Sequence, residues 1–70
     1  MIELKNDIKF EIIKPIAKPF CQKCGIAGAL ELTGQNVEGF KQLSGKNKKI
    51  YFFHYNCFLM WNPGEVLLIP

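Results

Sequence analysis

Cys21-Gln22-Lys23-Cys24 and His54-Tyr55-Asn56-Cys57 take up every cysteine and the only histidine of the chain. Each holds two potential metal ligands separated by two residues, and a gap of about thirty residues lies between the pairs, the layout of a two-pair zinc site. Zinc favours four soft or borderline ligands in a tetrahedron, and a Cys3His set supplies them. Ligands spaced this closely can chelate one ion from a tight turn or from the first turn of a helix. The long gap leaves room for strands between the two halves of the site. The expected cofactor is therefore Zn2+, held by Cys21, Cys24, His54 and Cys57.

Other readings of these residues fit less well. Three cysteines leave an odd thiol, which a disulfide framework does not want. No charged segment followed by a long apolar run opens the chain, so nothing at its start suggests an oxidising compartment. A redox Cys-x-x-Cys would need a strand–helix–strand context, and no helical pattern follows Cys24. The common iron–sulfur runs have different spacings. Free ligating thiols fit an intracellular, reducing setting, cytoplasmic or nuclear.

Seventy residues make a single domain, 1–70, with little room for a core. At this length hydrophobic burial supplies only ~3–5 kcal/mol, so a staple is expected. A structural zinc contributes an apparent ~10–16 kcal/mol near neutral pH, which makes the metal a folding requirement and the metal-free chain largely disordered. The formal charge of +3 comes entirely from lysine. That is a mild excess compared with a strong nucleic-acid binder. The apolar stretches are too short to span a bilayer, and neither a membrane nor a small-molecule substrate is expected.

Ile8-Lys9-Phe10-Glu11-Ile12-Ile13 alternates with the period of a half-buried strand. Pro15 and Pro19 carry an extended segment into the first ligand pair. Cys21–Gly25 reads as a zinc knuckle, with Gly25 supplying a positive φ. A short strand is expected at Ala29–Thr33, with Leu30 and Leu32 on one face, and another from Val37 to Leu43. Ile50-Tyr51-Phe52-Phe53, β-branched and aromatic throughout, is the strongest strand. Tyr55–Trp61 reads as a short helix whose Phe58 and Trp61 share a face. Asn62-Pro63-Gly64 ends it, and Glu65–Ile69 is expected to add a final strand. Knuckle, hairpins, then a helix carrying the second pair is the treble-clef order. The fold class is α+β, a small treble-clef-like zinc finger with short β-hairpins and one short C-terminal helix. An all-β zinc ribbon would need a second knuckle at His54–Cys57, and bulky Tyr55 and Phe58 argue against that.

Cys21-x-x-Cys24, the long gap, and Phe52-Phe53-His54-Tyr55-Asn56-Cys57-Phe58 together resemble the zinc finger of poly(ADP-ribose) polymerase type. That family carries an aromatic-aromatic-His-x-x-Cys-Phe signature entering a helix, and Leu30-Glu31-Leu32 falls near its Leu-Arg-Ile strand. The resemblance covers residues 20 to 61. It implies a Cys3His zinc site and contact with DNA breaks through the backbone and apolar stacking. Glu31 stands where the family presents an arginine, so only the four metal ligands carry over.

Two surfaces are candidates for function. Lys46, Lys48 and Lys49 lie in a polar, glycine-containing turn that could neutralise phosphates. Tyr51, Phe53 and Trp61 are candidates for an exposed apolar surface that stacks on bases or covers a partner. The first expectation is nucleic-acid contact, most readily DNA, through the lysine turn and the aromatics. The alternative is a protein-interaction adaptor or inhibitor, a self-associating chain, or a subunit of a larger assembly. Catalysis is not expected, because the sole histidine is a ligand and the carboxylates are scattered.

Overall fold

The computed structural model describes residues 2–15, 17–45 and 48–69. Four strands and one helix follow one another as β1 (Ile2–Lys5), β2 (Ile8–Ile13), β3 (Val37–Gln42), β4 (Ile50–His54) and α1 (Tyr55–Met60). The strands form one antiparallel sheet in the order β1-β2-β3-β4. The long connection between β2 and β3 carries the first ligand pair, and β4 runs directly into α1.

Period-2 alternation and the register decide which side chains share a face. Phe10 lies opposite Gln42, Ile12 opposite Phe40, and Phe40 opposite Tyr51. One face therefore carries Ile8, Phe10, Ile12, Phe40, Tyr51 and Phe53, and α1 packs on it. Phe58 stacks on Phe40 with ring centroids 4.1 Å apart and meets Phe10 edge-on at 5.3 Å. Trp61 closes the cluster against Phe53 at 5.0 Å and Tyr51 at 4.9 Å. Two polar ties fix the helix to β1. Lys5 Nζ donates to the Leu59 carbonyl at 2.8 Å, and the Tyr55 hydroxyl donates to Glu3 at 3.1 Å.

The opposite face has no helix. It presents Ile2, Leu4, Lys9, Glu11, Ile13, Lys41, Ile50 and Phe52, with His54 and Val37 at one end. Gly39 is required here: a Cβ at this position would meet Ile13 Cγ1 at 2.7 Å, so only glycine lets Ile13 lie across β3.

Several expected elements differ. β1 was not expected; it pairs with β2 through a two-residue turn at Asn6 and Asp7, both at positive φ (50° and 62°), the geometry that suits a hairpin's twist. Ala29–Thr33 is a turn rather than a strand. The Gly34 N–H closes back on the Leu30 carbonyl at 2.7 Å, and Leu32 is 100% exposed instead of sharing a buried face with Leu30. Glu65–Ile69 joins no strand and lies along the metal loop. Phe53 and Trp61, expected on a partner surface, are buried in the core, and Tyr51 is half-buried beside them. The physical reason is that α1 covers this face of β4 and its aromatics fill the space.

Truncating Phe58 to alanine is expected to cost about 3–5 kcal/mol, whereas truncating exposed Leu59 should stay within about 0.5 kcal/mol. Urea unfolding of the metal-loaded protein checks this, and equal losses at the two positions would contradict the packing described.

Candidate metal centre

The backbone of the first pair forms a tight loop. The Gly25 N–H bonds the Cys21 carbonyl at 2.7 Å, with Gly25 at φ 79°, and the Cys21 N–H bonds the Ile26 carbonyl at 3.1 Å. The second pair straddles the junction of strand and helix. His54 is the last residue of β4 and the N-cap of α1, and Cys57 lies in the first turn. The β4 strand, anchored to β3, thus carries its imidazole to the loop that β2 and its following segment deliver.

Cys21, Cys24, His54 and Cys57 converge, with one donor atom from each lying within 4.8 Å of all the others. His54 Nδ1 is 3.4 Å from Cys24 Sγ and 4.0 Å from Cys57 Sγ. A tetrahedral ion bound at about 2.3 Å by sulfur and about 2.0–2.1 Å by nitrogen sets donor separations of about 3.5–3.8 Å. The observed distances bracket that range, so the group fits such an ion.

The imidazole is oriented for this role. His54 Nε2 lies 2.7 Å from the Gly28 carbonyl, which can only accept, so Nε2 carries the proton. The lone pair of Nδ1 is thereby aimed at the sulfurs, the outer-shell arrangement that metal-ligating histidines use. Cys21, Cys57 and His54 are buried, and Cys24 is partly exposed.

The thiols show what the site demands. Burial opposes ionisation of Cys21, but the N–H groups of Cys24, His54 and Lys23 outweigh it and bring the thiol down to about 6. Burial, together with the neighbouring Cys21 sulfur, pushes Cys57 up to about 12. A thiolate at Cys57 is thus disfavoured beside the Cys21 sulfur, and a bound dication would offset that cost.

All four sequence-proposed ligands are therefore brought together. Lys48 and Lys49 are exposed at the β3–β4 turn, with Lys49 Nζ 5.3 Å over the Tyr51 ring, and Lys46 lies outside the described residues. Two contributors were not found from sequence: Gly28, through its carbonyl, and Gln22. Gln22 is a buried polar residue inside the loop whose N–H donates to the Phe52 carbonyl at 2.8 Å. Its side-chain Oε1 accepts from the Phe52 N–H at 2.9 Å. Its amide thus stands in for a strand on the free edge of β4. Ligand spacing carries no signal for either residue. No known family, curated protein or solved structure matches the chain.

Metal binding must expel the Cys57 proton at any pH below about 12. Affinity should therefore rise at least tenfold per pH unit between pH 6 and 8. Below the Cys21 value of about 6 a further proton competes, and the dependence should steepen. Competition with a chelator of known affinity across this range measures the slope, and a flat profile would contradict thiolate ligation by Cys57.

Proposed function

We propose that this chain is a structural zinc module of treble-clef type that acts by binding a protein partner. A three-sulfur, one-nitrogen donor set suits zinc better than the hard cations, which take oxygen. The chain order of knuckle loop, β3–β4 hairpin and ligand-bearing helix start supports the treble-clef reading. Four protein ligands leave such an ion no open position for water or substrate, which favours binding over catalysis.

The observation that carries the partner reading is the sheet face without a helix. Ile2 is 52% exposed there, Leu4 64% and Ile50 41%, while Ile13 and Phe52 are half-buried beside them. The antiparallel sheets of small domains commonly leave one face in water, but that face is then mainly polar. Here the apolar side chains are interleaved with Lys9 and Lys41 against the single carboxylate of Glu11. A protein segment with apolar side chains flanked by carboxylates complements such a surface.

Nucleic-acid contact is the second reading. It keeps the exposed Lys48 and Lys49, but the burial of Phe53 and Trp61 removes the stacking surface it would use. Two phosphate contacts would give a shallow salt slope of about −2.

Photo-crosslinking side chains placed at Leu4 and Ile50 test the reading in the native cell, with Leu59 on the helix side as control. Protein crosslinks from the two sheet positions are expected, and those from position 50 should be lost when Leu4→Glu is added with the fold intact. Crosslinks only to nucleic acid, or only from Leu59, would overturn the assignment.

A further inference from the structure

Beyond α1 the chain doubles back over the metal loop. A turn at its start is closed by the Glu65 N–H on the Asn62 carbonyl at 2.9 Å. From there on, its polar ties to the rest of the molecule, among the described residues, fall on the loop alone. The Ile69 N–H donates to the Gln22 carbonyl at 3.1 Å, and Gln22 Nε2 donates to the Ile69 carbonyl at 3.0 Å. Glu65 accepts from Lys23 Nζ at 2.8 Å. Leu68 rests on Gly25, where a Cβ would come within 2.8 Å of its side chain. Gln22, Lys23 and Gly25 all lie between or beside Cys21 and Cys24.

Within this segment Leu67 packs against the buried core, while Pro63 and Ile69 are half-buried. Val66 is 93% exposed, and Leu68 is largely exposed on its outer side. The docked position thus depends on a loop shape that the chelated ion would set. Gln22 is the hinge of this dependence, since one amide side chain bonds both Phe52 on β4 and Ile69 on the returning segment.

We propose that segment 62–69 is a clasp on the metal loop, so that its docking and occupancy of the Cys3His site strengthen one another. The clasp rests on the metal reading given above. Coupling between two binding events is reciprocal, so whatever loosens the clasp must weaken the metal by the same factor. Gln22 acts here as a positioning residue.

The test uses the zinc-loaded protein and two readouts. Hydrogen exchange by NMR should show the Ile69 amide, which bonds the Gln22 carbonyl, exchanging at least tenfold faster in Gln22→Ala, with the amides of β2, β3 and α1 unchanged. Chelator competition should show zinc affinity reduced about three- to tenfold by Glu65→Gln and by Leu67→Ala, with faster zinc release. Leu32→Ala, at a fully exposed turn position, should leave it unchanged. Unaltered zinc affinity in both clasp variants overturns the proposal, as does unaltered exchange in Gln22→Ala. If Gln22→Ala does not fold, the affinities of the two clasp variants decide alone. A wild-type protein that takes up no zinc overturns the metal reading itself, a result distinct from a loaded protein whose clasp is indifferent to it.

Discussion

Four donor atoms from two distant chain segments meet in a cluster that could hold one ion, and most of the architecture serves that meeting. One pair sits on a loop that leaves β2; the other sits where β4 becomes α1. Holding them together fixes the loop against the free edge of β4 and sets where the helix starts. The Gly28 carbonyl aims the histidine, and Gln22 takes the place of a strand partner. Without a cation the Cys57 thiol keeps its proton, since burial and its sulfur neighbours push it up to about 12.

The aromatic cluster is the second organising element, and it depends on the first. Phe10, Phe40, Phe53, Phe58 and Trp61 fill the space between the sheet and a helix of six residues. A helix that short has almost no stability of its own. It persists because its first residues continue β4 through the ligand pair, while Lys5 and Tyr55 tie it across β1. Metal site and core thus hold the same helix from two sides. The consequence for function is a division of faces, one consumed by packing and the other left apolar in water.

Much of this was legible in the residues. The convergence of Cys21, Cys24, His54 and Cys57 was legible in their spacing, because two matched pairs leave few other chemistries. β2 followed from alternation around Phe10, and β4 from its β-branched and aromatic run. β1 was missed because four residues give little period to read, although Asn6-Asp7 is a hairpin-turn signal. Ala29–Thr33 misled because alternation around Leu30 and Leu32 says nothing about whether a neighbouring strand exists to pair with it. Tyr51 and Phe53 were placed on a partner surface because both faces of β4 are apolar. Which face the helix would cover is a tertiary outcome that no local pattern encodes. Gln22 was illegible for a related reason, as its importance lies in two backbone strands brought beside it by the fold.

The central claim is that a cation at Cys21, Cys24, His54 and Cys57 holds together a core too small to stand alone. Trp61 is the only tryptophan and is buried against Phe53 and Tyr51, so its fluorescence reports directly on that core. Stripping zinc from the loaded protein with a chelator, followed by emission and circular dichroism, is the most direct measurement. A red shift of Trp61 with loss of sheet signal, both restored by one equivalent of zinc, is the predicted result. Unchanged spectra in the metal-free protein would contradict the claim.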